Sequence, residues 1–168
     1  MPYGRKRGNT MAVAGVSTIG VQLFYAVETT VSDSAPTSGY TELTRINDIA
    51  EFNIESESID ASALIDAVTR NIPGRQSAGD TWAITVNTTN ETITEWETLI
   101  TAFAAKTAGE RVWFQIVSPD LTNAYYIAGF PPEKLPMGAK AQNSLDTFQV
   151  SIIVDQVAGY GAKHLPTP

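Results

Sequence analysis

Apolar side chains in this chain recur mostly at every second position, the period of β-strands. Over residues 16–30 they occupy both parities, with Leu23, Tyr25 and Val27 on one face and Phe24 and Ala26 on the other. That pattern predicts one long strand or two short ones, covered on both sides. Residues 33–39 carry the composition of a loop. Residues 42–46 and 49–59 read as strands with a turn at Asn47-Asp48, and a further strand opens at Thr81. Three late strands follow. Val112, Phe114 and Ile116 point inward over residues 111–117. Ala124, Tyr126, Ala128 and Phe130 share a face over residues 123–130, before two prolines that cannot donate to a ladder. Phe148, Val150, Ile152 and Val154 do so over residues 147–154.

One segment breaks the period of two. Ile93, Trp96, Leu99, Ile100, Phe103 and Ala104 follow helical spacing. Thr92 with Glu95 reads as a capping box, Lys106 sits near the far end and Gly109 is the candidate C-cap. The stripe Ile93, Trp96, Leu99, Ile100 and Phe103 must cover a sheet. The sum predicts an α+β, mainly β fold: a β-sandwich or partly closed β-barrel with one packed α-helix and a long projecting loop. One domain is expected over residues 15–157, with a flexible N-terminal arm (1–14) and a fraying Gly/Pro-rich C-terminal tail (158–168). No stretch has the apolar length of about 20 residues that crosses a bilayer.

Charge sharpens the picture. The net charge is −7, although Arg5, Lys6 and Arg7 crowd the first ten residues. From Glu42 to Asp66 there are seven acids and one base, Arg45. If residues 49–59 form one strand, Glu51, Asn53, Glu55 and Glu57 share a face. Like charges in such a row repel. A surface that must repel a polyanion gains from the row; a binder of nucleic-acid backbone, which needs cations, does not. Residues 60–80 hold one short apolar cluster, Ala63-Leu64-Ile65, then Ile72-Pro73-Gly74 and Gly79-Asp80. A long segment of that kind inside a compact domain is functional or disordered.

Candidate chemistry is sparse. The chain has no cysteine and a single histidine, His164. Thiol catalysis and Cys-ligated metal therefore have no residues to stand on, and no Ser/His/Asp triad is recognisable. No glycine-rich phosphate loop is present. Glu55 and Glu57 as an acid–base pair would need a shaped cleft and one raised pKa. No enzyme activity and no cofactor are expected.

These elements in this order resemble the major tail tube protein of long-tailed bacteriophages, above all its non-contractile branch. The resemblance runs over residues 16–155. It is carried by Gly20-Val21-Gln22-Leu23-Phe24-Tyr25, by Thr44-Arg45-Ile46, by the acidic strand, and by Ile59-Asp60-Ala61-Ser62 with Leu64. Ile72-Pro73-Gly74 and Gly79-Asp80, the single helix and the three late strands complete it. The family often has Thr at the position of Ser62. The resemblance implies a structural virion protein that forms rings, usually hexamers, stacked into a hollow tail tube. Double-stranded DNA passes through the tube without specific binding. A tape measure protein fills the bore during assembly. Tail terminator and tail-tip proteins are the other implied partners, besides further copies of the chain. No membrane partner is implied, and the location is the virion, after assembly in the host cytoplasm.

Within that frame Glu51, Asn53, Glu55 and Glu57 are candidates for the bore lining; the alternative is a solvated outer face. Asp60, Leu64, Ile65, Asp66, Ile72, Pro73, Gly74 and Asp80 are candidates for a loop that contacts the neighbouring ring; the alternative is a loop folded back on its own sheet. Rival functions are the tube of a contractile tail or secretion apparatus, a head decoration or tail-completion protein that does not polymerise, and a carbohydrate-binding domain using Tyr125 or Tyr160.

Overall fold

The computed structural model describes residues 15–77, 81–107 and 109–166. The expected N-terminal arm, Asp80 and the last two residues lie outside them. The chain forms β1 (Gln22–Val27), β2 (Thr41–Leu43), β3 (Ile46–Ile49), β4 (Glu55–Asp60), β5 (Asn71–Ser77), β6 (Thr81–Asn87), α1 (Asn90–Ala104), β7 (Val112–Val117), β8 (Asn123–Phe130) and β9 (Thr147–Ala162). Seven strands make one antiparallel sheet in the order β2-β1-β7-β8-β9-β6-β3, and β4 pairs with β5 alone.

β2 and β3 stand at opposite edges of the sheet, yet only Thr44 and Arg45 separate them in the chain. Three Cα–Cα steps of about 3.8 Å keep Leu43 and Ile46 within about 11 Å of each other. The sheet must therefore curl until its edges nearly meet, and it stops short of a closed barrel. The corner is where the chain turns, not Asn47-Asp48 as composition implied; those two residues lie inside β3, where Asp48 pairs with Thr85. Arg45 takes a left-handed conformation (φ 52°), unfavourable for a side chain with a Cβ. Hydrogen bonds hold it there. Thr44 donates from its backbone N–H and its hydroxyl to the Glu95 carboxylate, each at 2.8 Å, and the Asn87 N–H donates to the Arg45 carbonyl at 3.1 Å.

The concave side is filled by one apolar cluster. It takes Leu23 and Leu43 from one edge of the sheet, Trp82, Ile84 and Val86 from the other, and Phe114, Ile127, Val150 and Ile152 between them. Helix α1 closes it. Trp96, Leu99 and Ile100 are buried in this cluster, and Ile93 and Phe103 pack at its margin. The helix starts earlier than the Thr92–Glu95 pattern implied. Thr89 is the N-cap, and it exchanges hydrogen bonds with Thr92, the third residue of the helix. A capping box accepts a short hydroxyl partner here because Thr92 is fully buried and also donates to the Asn87 carbonyl at 2.8 Å. Glu95 is thereby freed to hold the corner. The helix ends on Ala105, and Gly109 turns the chain four residues later.

The convex side of β1, β7 and β8 is covered too. Phe24, Trp113, Val117 and Tyr126 form a second cluster under Tyr40 and Ala35 of the 28–40 segment. Both faces of β7 are therefore buried, where the period of two implied one inward face. The cover is fastened by a buried ion pair. Arg111 donates to Glu28 from its backbone N–H and from Nη2, both at 2.8 Å, and to Asp155 at 2.8 Å and the Ser32 carbonyl at 2.5 Å. Trp113 Nε1 donates to the same Glu28 at 2.7 Å. β9 runs to Ala162, past the glycines expected to fray it. Beyond its end, the His164 N–H donates to the fully buried Gln115, which donates back to the His164 carbonyl.

Two outcomes follow. Thr89→Ala should lower unfolding stability by about 1 kcal/mol, read from urea titrations of tryptophan fluorescence. Burial would raise the Glu28 carboxyl, but the hydrogen bonds from Arg111 and Trp113 outweigh it and hold it below its ordinary value of 4.5. Glu28 therefore stabilises the fold fully above pH 4.5 and ceases to do so as pH falls through its depressed folded value. Glu28→Gln should cost about 3 kcal/mol at neutral pH and flatten the loss of thermal stability below pH 4.5 relative to the unmodified chain.

Candidate assembly interface

The ribbon of β3 and β6 does not stop at the edge of the sheet. The Ala50 N–H donates to the Ala83 carbonyl at 3.0 Å, and Trp82 Nε1 donates to the Ala50 carbonyl at 3.1 Å. Beyond this point β4 and β5 continue the ribbon as a two-stranded arm. β5 overturns the expectation of a structureless loop over residues 60–80; only residues 61–70 connect the two strands. The sequence hid this strand because Pro73 and Gly74 interrupt its alternation. Proline is tolerated where no further strand needs its donor, beside a bulge. Here Pro73 pairs with Ser58 and the register shifts between Ser56 and Ser58. Gly74 has its own reason: a Cβ there would come within 2.9 Å of Ile59 Cδ1, which lies across it.

The acidic row is divided. The expected continuous strand over residues 49–59 breaks, so Glu51 and Asn53 lie in the link between β3 and β4 while Glu55 and Glu57 lie in β4. All four are exposed. Asn53 donates to Glu55 at 3.2 Å. The alternation of β4 puts Glu55, Glu57 and Ile59 on one face and Ser56, Ser58 and Asp60 on the other.

The tip is built by its acids. Asp60 accepts from the Ser62 N–H at 2.8 Å, and those hydrogen bonds from Ser62 hold its carboxyl below the usual range. Asp66 accepts from the Ala63 N–H at 2.9 Å and faces Arg70 at 3.7 Å. The Arg70 N–H donates to the Ser62 hydroxyl at 2.8 Å. These hydrogen bonds tie Asp60, Ser62, Asp66 and Arg70 to the loop itself, and the aliphatic groups have no such tie. Leu64, Ile65 and Val68 are 111%, 92% and 75% exposed. Ile54, just before β4, and Ile59 and Ile72 on the two strands are about half exposed. Ile54 and Val68 were not singled out in the sequence, and Ile59 was named only as part of the Ile59-Asp60-Ala61-Ser62 segment; their signal is that they flank the Leu64-Ile65 pair beside strands that show no buried face.

Among the described residues no cluster of His, Asp or Glu could hold a metal ion, and no helix is long and apolar enough to cross a membrane.

No protein-family model and no curated protein matches this sequence. Its fold does match solved structures. A chain of the anti-feeding prophage (AFP) baseplate, determined by cryo-EM with six-fold symmetrisation, superposes with a TM-score of 0.62 at 9% identity, over 91% of this chain and 99% of that one. A chain of the PVC extracellular contractile injection system, from its sheath–tube complex in the extended state, gives 0.56 at 9% identity over 89% and 93%. A chain of the PVC sheath/tube terminator gives 0.57 at 11% identity over 90% and 100%. The shared property is the fold. Two of its bearers here come from a contractile injection system, whereas the sequence resemblance pointed first to a non-contractile tail.

An isolated two-stranded hairpin is marginally stable in water. In the unassembled subunit, amides of β4 and β5 should exchange with deuterium at least about 100-fold faster than those of β7 and β8. Equal protection would mean that the arm is covered within its own chain.

Proposed function

We propose that this chain is a structural subunit that forms rings and stacks them into the tube of a phage-tail-like particle. The observation that carries the reading is the arm. The body buries its own core, yet β4 and β5 pair only with each other, and six large aliphatic side chains on or beside them stand half to fully exposed. Surfaces of that kind mark interaction sites. The fold shared with baseplate, tube-complex and terminator chains supports the same reading, and the six-fold symmetrisation of one of them supports a hexameric ring. The edges β2 and β3 offer ladders to neighbours within a ring. Between rings the arm, with Asp60, Leu64, Ile65, Asp66, Ile72, Pro73 and Gly74, makes the contact. Contacts from tip to a different surface extend without closing, as a filament requires.

Glu51, Asn53, Glu55 and Glu57 then line the bore, where their charge keeps a passing double-stranded DNA from sticking. A tape measure protein in the bore, a terminator and tip proteins are the companions of such a tube. The subunit acts by assembly and not by catalysis, in a particle put together in the host cytoplasm. The contractile reading has one observation in its favour, the origin of the matched structures, and predicts that a sheath protein binds the outer wall.

Negative-stain microscopy over a concentration series should show hollow tubes or stacked rings. Monodisperse particles at every concentration, also after preformed tail tips are added, would contradict the proposal. Changing Glu51, Glu55 and Glu57 together to Lys should leave tubes intact and slow DNA ejection at least about tenfold; unchanged ejection would remove these residues from the bore.

A further inference from the structure

The chain carries a second unpartnered apolar feature, at the other end of the body from the arm. Strand β6 begins at Thr81, where the arm leaves, and ends at Asn87, about 20 Å away at 3.3 Å per residue. Beyond that end lies a cavity of about 310 Å³ between the first turns of α1 and the segment after β8. Ile93, Leu135, Met137 and Phe148 line it, with Lys140 at the side. Met137 is 83% exposed.

The groove is preformed. Its lip is clamped at Gly138, where a Cβ would collide with the Thr147 carbonyl of β9. Lys140 is ion-paired with Asp146, and Asp146 accepts from the Thr88 hydroxyl at 3.1 Å. These contacts fix the segment on both sides of the groove without filling it. Its volume equals that of about ten liquid waters at ~30 Å³ each, room for a pair of aliphatic side chains.

We infer that the tip of the arm, Leu64 and Ile65 with Val68 beside them, docks into this groove on another copy of the chain. The inference rests on the tube reading above and names the surface that receives the arm. Three observations select a second copy as the occupant. The knob and the groove belong to one chain and sit at opposite ends of β6, so each subunit can give at one end and receive at the other. The arm cannot serve its own groove across the length of the body. The tip side chains Leu64, Ile65 and Val68 are 111%, 92% and 75% exposed, and the groove offers Ile93, Leu135, Met137 and Phe148 to receive them.

The absence of cysteine makes the test clean. Leu64→Cys and Met137→Cys in one chain, assembled and mildly oxidised, should give a ladder of covalent oligomers on a non-reducing gel. Leu64→Cys alone, and Leu64→Cys with Ile153→Cys on the exposed face of β9, should give none. Met137→Asp should raise the concentration needed for assembly at least tenfold while leaving circular dichroism and melting unchanged. Tubes on the grid without the 64–137 ladder, a ladder equal to that of the control pair, or a bond closed within one chain would overturn the docking and leave the tube reading standing. Normal assembly of Met137→Asp would do the same. No tubes or rings from the unmodified chain would overturn both.

Discussion

A two-residue corner controls this molecule. Because Thr44 and Arg45 alone join the opposite edges of a seven-stranded sheet, that sheet has to curl. Curling creates the concave space that Trp82, Phe114 and Ile127 fill, and it leaves one opening that α1 covers. The corner is strained at Arg45, and the strain is offset by Glu95 from the helix and by Asn87 from β6. Sheet curvature, helix position and the edge from which the arm departs are one arrangement held at one place.

The convex face shows how such a sheet gains a second layer without a second sheet. A loop and a chain end lie over β1, β7 and β8, and polar groups anchor them. Glu28 and Arg111 are both almost fully buried, which costs desolvation unless every donor and acceptor is engaged. Here Trp113, Ser32, Asp155 and Gln156 complete the set. Gln115 does the equivalent for the C-terminal end, bound to His164 and Tyr126. An apolar cover would slide; directed hydrogen bonds give it one position.

Burial of the body's own apolar core isolates what is left exposed. The arm has a hydrogen-bonded tip and no buried face, so it is ordered enough to present Leu64 and Ile65 and too exposed to be complete by itself. In the tube proposed above, the charge on its base and the aliphatic surface at its tip would separate two tasks, repulsion of a polyanion and adhesion to a neighbour, along a single ribbon.

The sequence alone determined the mainly β class, the single helix and its apolar stripe, the double-sided burial of β1, and the bounds of β8. Each is a local matter: side-chain period and termination chemistry act within one element. Prominence of the segment around Leu64-Ile65 was legible for the same reason. The tertiary structure decided the rest. Asn47-Asp48 favours a turn in isolation, but pairing with β6 draws it into β3 and moves the turn to Arg45. Pro73 breaks a strand in isolation, but an arm with no further neighbour asks nothing of its missing N–H. Glycines near residue 160 weaken a strand in isolation, but β8 supplies a partner as far as Ala162. Pro136-Met137-Gly138 has the composition of a turn in isolation, but β9 clamps it into the lip of a groove. In each case the deciding partner lies far away in the chain, and no local pattern encodes its arrival.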